Sequence, residues 1–501
     1  MERYVCIHGH FYQPPRENAW LDVIEPQESA YPFRDWNERI AAECYAPFGH
    51  CKLLHDAASP INLYSHISFN FGPTLLSWLE KHELATYRAI IDADRLSAER
   101  FGCHGSALAQ VYNHVIMPLA NTRDRQTQIR WGIRDFERRF GRKPEGMWLA
   151  ETAVNLATLE QLAEHGLRFT ILSPHQASRI RLIGDSDEDW IDARGGIIDP
   201  SRAYKAWLPS GRDFNLFFYD GPISHAVAFE GLMYRRGQFA TRLLDGFHDD
   251  RTWPELVHVA SDGETYGHHQ MHGERSLALG LEWLRQHTEV RFTNYGEFLS
   301  RFSPTHEALI LENTAWSCAH GVERWRDDCG CCGGQPGWNQ KWRAPLREAL
   351  DRLRDGVAPL FEEVGCRLFR DPWAARDAYI DVLLDSSPES FDRFLEPQQA
   401  RPLSRGERAR ARRLLELQRF ALLMYTSCGW FFDDISGIES VQILQYAARA
   451  IQLAEEAFGK SFEGDFLAKL AEAESNLPEF GNGRQVFEER VRGTRTGASR
   501  E

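Results

Sequence analysis

The chain has 501 residues, 43% hydrophobic and 26% charged, with 58 Lys and Arg against 72 Asp and Glu. That describes a globular chain long enough for two domains, and its formal net charge of −14 argues against a general binder of nucleic acid or anionic membranes. No apolar run approaches the ~18 residues of a membrane helix; the opening MERYVCIHGHFYQPP lacks a secretory signal pattern, and ten cysteines are too few for a disulfide scaffold, so the expected compartment is the reducing cytoplasm.

From Arg3 to about Ser303, short apolar runs alternate with amphipathic stretches. Tyr4-Val5-Cys6-Ile7 is the first run, followed by Ile61 to Phe71, Gly146 to Ala150, Leu167 to Leu172, Phe214 to Tyr219, Leu256 to Ala260 and Val290 to Phe292. Their β-branched and aromatic content predicts strands. A helical excursion is expected over Trp36 to Asp56. Thr122 to Phe140 places Ile129, Ile133, Phe136 and Phe140 at helical spacing before Gly141, and Asn155 to His165 ends similarly at Gly166. Strand and helix alternating over some 300 residues predict a parallel (β/α) barrel, with an open doubly wound sheet as the competitor.

Residues 306–345 are rich in Trp, Cys, Gly and Asn and read as a crossing segment between a barrel at 1–305 and a helical domain at 346–480. In that domain helices are expected over Arg347 to Val364, Ala374 to Leu383, Gly406 to Tyr425 and Ser440 to Phe458. Ser404-Arg405-Gly406-Glu407 reads as a capping box. Residues 481–501 are polar and expected to form a flexible tail.

Three motifs fall at predicted strand ends: His8-Gly9-His10-Phe11-Tyr12-Gln13-Pro14-Pro15, Met147-Trp148-Leu149-Ala150-Glu151-Thr152, and Ser261-Asp262-Gly263-Glu264-Thr265-Tyr266-Gly267-His268-His269. In a parallel barrel such ends share one mouth. Glu151 and Asp262 would then face one another, as glycosidic cleavage requires of its nucleophile and its acid. Trp148-Leu149-Ala150 would fix the Glu151 rotamer, and Gly263 would permit a sharp turn after Asp262. A lone carboxylate at a strand end also serves as a helix N-cap or in a salt bridge. His8 and His10, two apart on a strand, point the same way. They would either hydrogen-bond sugar hydroxyls or, with a third ligand such as Asp262, His104, His268 or His269, hold a metal.

These motifs, with Asn113-His114-Val115-Ile116-Met117-Pro118-Leu119 between the first two, occur in an order that resembles the signature regions of glycoside hydrolase family 57. The resemblance implies an α/β fold, an incomplete (β/α)7 barrel followed by an all-helical C-terminal domain, acting on α-glucans with retention. It places Glu151 as nucleophile and Asp262 as acid/base. His8 and His10 match first-strand histidines, Trp148 a sugar-contacting position, and His114 the histidine before a Pro-Leu pair. Ala150 stands where many members have Pro. Trp316 to Trp325 and Gly337 to Trp342 resemble the Trp-rich crossing of family branching enzymes, where indole faces stack on sugar. With Gln13 and His268 from the flanking motifs, the candidate substrate-binding residues are His8, His10, Gln13, His114, Trp148, His268, Trp316 and Trp325.

Cys318, Cys329, Cys331 and Cys332 cluster near His320, but their spacing is not the paired Cys-x2-4-Cys of zinc sites. No metal and no cofactor is expected, and these thiols should be dispensable for catalysis. The expectation is thus a retaining glycoside hydrolase or α-glucan transferase whose partner is an oligo- or polysaccharide. A metal-dependent polysaccharide de-N-acetylase would instead need stoichiometric zinc, and a non-catalytic glycan-binding barrel would bind sugar without turnover.

Overall fold

The computed structural model describes residues 2–52, 60–235, 237–331 and 334–492. Its first strand, β1 (Arg3–Phe11), is buried from Tyr4 onward, as a parallel strand covered on both faces must be. β1 is flanked by β2 (Ser68–Phe71) on one side and β10 (Glu255–Asp262) on the other. β3 (Ala107–Gln110) and β4 (Met147–Trp148) extend the sheet in the order β10-β1-β2-β3-β4, and β11 (Arg291–Phe292) adds to β1. A parallel bridge from Gly146 to Phe169 leads from β4 towards β5 (Phe169–Leu172), which pairs in parallel with β9 (Asp213–Phe218). This run of parallel strands is the barrel that the alternation of strand and helix predicts, left incomplete as the family resemblance implies.

An antiparallel extension departs from that pattern. β8 (Ala203–Trp207) pairs antiparallel with β9, β12 (His306–Ile310) joins β8, and β6 (Ala177–Leu182) and β7 (Ile191–Asp192) complete the second sheet. None of these four strands is among the predicted ones. β6, ASRIRL, carries two arginines and only one β-branched residue, so its strand character comes from pairing rather than propensity.

Helices fall close to their expected places. Thr122–Phe140 is continuous, and Leu156–Glu164 is capped by Asn155. Trp36 to Gly49 coils through a π-turn at Ala41–Tyr45.

The chain divides into two compact units. The first contains residues 1–15, 26–111 and 136–316, and the second residues 16–25, 112–135 and 317–501. The first holds the parallel strands around a core that includes Tyr4, Leu108, Trp148, Phe169, Phe217 and Tyr295. In the second the long helices are Arg343–Gly365, Arg405–Leu423 and Ile438–Phe458, and the Ser404/Glu407 capping box is present. Gly483–Val486 and Phe487–Val491 are helical, with Val486, Phe487 and Val491 buried, so this part of the polar terminal stretch packs rather than frays. Among the described residues no helix is long and apolar enough to cross a membrane.

Candidate active site

Parallel strands deliver their C-terminal ends to one rim, and the sequence motifs lie there. Glu151 follows β4 in a turn where Glu151 and Thr152 both have positive φ, 58° and 52°. Neither is glycine, and Thr is β-branched, so each sits in a backbone region that costs of order 1–3 kcal/mol and must be held by its surroundings. The surroundings do so. The Trp316 backbone N–H donates to Glu151 O at 3.0 Å, and its indole Nε1–H donates to Glu151 Oε2 at 3.0 Å. Gln176, itself buried, donates from Nε2 to Thr152 O at 2.8 Å, while Thr152 Oγ1 donates to Gln176 Oε1 at 2.9 Å. Hydrogen bonds, rather than the expected apolar collar alone, fix the Glu151 turn.

Asp262 ends β10 and lies in register with His10 of β1. It keeps solvent-reached surface, yet it is crowded enough by protein that its carboxyl is pushed well above the usual carboxylate range. Lost solvation is the main cause, followed by the negative charges of Glu264 and Glu151. A carboxyl so placed holds its proton to higher pH than an ordinary aspartate does. Glu264 is buried beside it, with burial raising its pKa to about 7. It accepts hydrogen bonds from the Tyr12 backbone N–H at 3.0 Å and from the Tyr45 hydroxyl. Gly263 between them has no positive φ; a side chain there would place its Cβ 2.2 Å from Phe11 Cδ1. Close approach, not the expected sharp turn, is what requires glycine.

The two histidines are organised by Asn70. Its Oδ1 lies 3.0 Å from His8 Nε2 and its Nδ2 2.9 Å from His10 Nδ1, while Nδ2 also donates to Gln110 Oε1 at 2.7 Å. The other His8 nitrogen, Nδ1, meets Ser68 Oγ at 3.1 Å. Burial lowers the His8 pKa to about 3, so the ring is neutral, with both nitrogens engaged and none left for a metal. An amide N–H pointing at His10 Nδ1 makes that nitrogen the acceptor, which puts the ring proton on Nε2. Trp148 stacks on both rings, at centroid distances of 4.8 Å to His8 and 5.0 Å to His10, and meets Trp316 edge-on at 5.1 Å. His8 and Trp148 are 0% exposed. They therefore back the site, contrary to the expectation that both touch sugar; His10 is 4% exposed and lies edge-on to Trp316, which is half-buried and the more reachable of the two.

The remaining candidates are placed differently. Gln13 is half-buried, and its Nε2 donates to Tyr12 O at 3.0 Å. His268 pairs through Nδ1 with Glu43 and lies edge-on to Trp36. His104, a conceivable metal ligand, is instead 2.9 Å from Glu145. His114 and Trp325 belong to the second unit. There His114 is buried, 2.6 Å from Ser427 Oγ, with its pKa lowered to about 3, and Trp325 is fully buried. Glu264, Asn70, Gln110 and Tyr219, whose ring lies 6.3 Å from Trp316, are site residues that the sequence did not single out. Glu264 sits inside a quoted motif, whereas Asn70 needed the β1–β2 register to be seen.

Residues 105–310 match the family model of glycosyl hydrolase family 57, and residues 338–500 match a domain of unknown function, DUF3536. No curated protein matches the sequence. Among solved structures, an exo-type maltose-forming amylase from Pyrococcus sp. ST04 is similar at TM-score 0.67 and 17% identity, covering 94% of this chain and 83% of that one. A GH57-type branching enzyme from Pyrococcus horikoshii is similar at TM-score 0.55 and 16% identity, with 94% and 95% covered. A 4-alpha-glucanotransferase from Thermococcus litoralis is similar at TM-score 0.53 and 16% identity, with 91% and 60% covered.

Proposed function

From the match of residues 105–310 to glycosyl hydrolase family 57 and the geometry of the strand ends, we propose that the chain is a retaining enzyme of carbohydrate metabolism that hydrolyses or transfers α-linked glucan. The observation that carries this reading is the pairing of two unlike carboxyls at one rim: Glu151, held through Oε2 by an indole, and Asp262, whose pKa its surroundings raise. The similar solved structures are an amylase, a branching enzyme and a 4-alpha-glucanotransferase, which supports an α-glucan as substrate.

In the first step a Glu151 carboxylate oxygen attacks the anomeric carbon as its bond to the leaving oxygen breaks, and Asp262 gives that oxygen its proton. The product is a glycosyl ester on Glu151. In the second step Asp262, now ionised, takes a proton from water or an acceptor hydroxyl, which attacks the same carbon and releases Glu151. Hydrolysis and transfer differ only in that acceptor. The Trp316 indole N–H fixes the orientation of the nucleophile, and His10 presents a donor to sugar hydroxyls at the same rim. The nine cysteines among the described residues form no disulfide, which fits a reducing compartment, and we place the enzyme in the cytoplasm.

The test is incubation of purified protein with maltooligosaccharides and with glycogen, following the anomer first released by proton NMR. Release of the α-anomer, or of a transfer product with α-linkage, is expected. Release of the β-anomer would exclude Glu151 as nucleophile, and activity confined to acetylated glycans would replace the reading with de-N-acetylation.

A further inference from the structure

Cys318, His320, Cys329 and Cys331 lie in a segment between the two family matches, which end at residue 310 and begin at residue 338. Between β12 and the helix Arg343–Gly365, its helical structure among the described residues is the short turn Glu323–Trp325. The irregular spacing of the cysteines speaks against a metal only while His320 is left out and the loops are imagined straight. The fold brings one donor atom from each of the four to within 4.8 Å of the others. Cys318 Sγ lies 3.9 Å from Cys331 Sγ, and Cys331 Sγ lies 3.4 Å from His320 Nδ1.

Those separations are the edges of a coordination tetrahedron. With zinc–sulfur bonds of about 2.3 Å and zinc–nitrogen bonds of about 2.0 Å, tetrahedral angles put two sulfurs about 3.8 Å apart and a sulfur and a nitrogen about 3.5 Å apart. A disulfide would need sulfurs at about 2.05 Å. The widest spacing of 4.8 Å closes to tetrahedral with a shift of about 1 Å, within rotamer adjustment.

Two further features point to a bound cation. Arg343 is 0% exposed, and its Nη1 donates to Cys329 Sγ at 3.4 Å. A buried guanidinium calls for a negative partner, and a thiolate supplies one. Three thiolates around a doubly charged cation carry a net charge of −1, which Arg343 balances. The Cys331 backbone N–H also donates to Cys329 Sγ at 3.4 Å, made possible by Gly330 at φ 71°, which turns the chain so that both neighbouring sulfurs face one point. Such outer partners are what orient the ligands of a metal site.

We propose that Cys318, His320, Cys329 and Cys331 form a Cys3His zinc site that staples the crossing segment. Four protein ligands leave no open position, so the ion is structural and takes no part in the glycosidic chemistry. Binding releases the thiol protons to solvent, and the folding of this segment depends on the metal. Cys332 lies outside the described residues, and the proposal assigns it no ligand role.

The proposal is tested by metal analysis of untagged protein purified without chelator. One equivalent of zinc per chain is expected, and after exchange for cobalt a thiolate-to-cobalt charge-transfer band. Cys329→Ser should hold less than a fifth of an equivalent. His320 is exposed, so His320→Ala should still fold while releasing zinc to a competing chelator at least tenfold more readily; Cys332→Ser should keep the full equivalent. Native protein without zinc, without the cobalt band on reconstitution, and with Cys318, Cys329 and Cys331 all titrating as free thiols would overturn the proposal. So would loss of zinc in Cys332→Ser with retention in His320→Ala. None of these readouts depends on the catalytic assignment.

Discussion

The Trp316 indole Nε1–H and the Trp316 backbone N–H both donate to Glu151, to Oε2 and to the main-chain O, each at 3.0 Å. One residue thus fixes both the rotamer of the carboxylate and the strained peptide that carries it. Trp316→Phe keeps an aromatic ring against Trp148 and His10 but removes the side-chain donor. A hydrogen bond to a charged group is worth about 1.5–3 kcal/mol, so kcat should fall roughly 10- to 100-fold with KM little changed. Unchanged kcat, measured on the best maltooligosaccharide, would free Trp316 from the positioning role.

Glu151→Gln should reduce kcat at least about 1,000-fold, because the amide cannot form the ester intermediate. Its melting temperature should stay within a few degrees of wild type, since an amide oxygen still accepts from Trp316. Glu151→Gly loses that bond, about 1.5–3 kcal/mol, but relieves a positive φ of 58° that costs about 1–2 kcal/mol, so it should be inactive yet no more than about 2 kcal/mol less stable in urea unfolding. A collapse in stability of both variants would identify Glu151 as structural.

The pH dependence follows from two desolvated carboxyls. Burial lifts Glu264 from 4.5 to about 7, and lost solvation lifts Asp262 well above 3.8. The folded state therefore keeps protons that the unfolded chain has shed. Stability is full below about pH 4 and falls as pH rises through the folded pKa values, by about 3 kcal/mol for Glu264 alone at 1.4 kcal/mol per unit. Glu264→Gln should flatten this fall between pH 5 and 8 in urea titrations. It also removes one of the negative charges that raise Asp262, so the basic limb of kcat/KM should move to lower pH. A basic limb unmoved in Glu264→Gln and also in Asp262→Asn would take the proton donor's role away from Asp262.

Gly263→Ala tests the close approach beneath the acid. The new methyl would meet the Phe11 ring, which is itself 0% exposed and stacked on Phe71 at 4.7 Å. With no room for the ring to yield, overpacking should cost about 1–3 kcal/mol and displace Asp262, lowering activity as well as stability. Wild-type thermal unfolding and activity together would show that the ring can move.

Asn70→Asp tests the proton on His10. A carboxylate facing Nδ1 draws the ring proton there and reverses the tautomer, so His10 would present an acceptor at the rim instead of a donor. KM should rise several-fold more than kcat falls, and the His10 ring nitrogens should exchange their NMR shifts. Unaltered shifts would mean that Asn70 does not set the tautomer.

Much of this site was legible because parallel strands concentrate chemistry at their ends: HGHFYQPP, MWLAE and SDGETYGHH each stand just where a strand stops. The helix Thr122–Phe140 and the Ser404 cap were equally plain, since periodicity and capping are local. What escaped was non-local. β3, ALAQ, has no β-branched residue and is a strand only because β2 and β4 flank it. The positive φ of Glu151 and Thr152 has no glycine to announce it. Asn70 reads as an ordinary polar strand residue until register sets it opposite His10. Position in the motifs points Trp148 and His8 at sugar, but burial, which sequence does not reveal, puts them behind the face they support.

The Trp316 clamp also bears on where this protein can be cut. A fragment ending at Ile310, where the family match stops, would retain every parallel strand, Glu151 and Asp262, yet leave the Glu151 turn without its two donors. Such a fragment would hold both carboxyls with only one of them in its native setting. The smallest piece of this chain that keeps the Glu151 turn intact therefore extends at least six residues past the conventional boundary, and any dissection, fusion or domain exchange that respects only the family limits would discard the residue that keeps Glu151 in place.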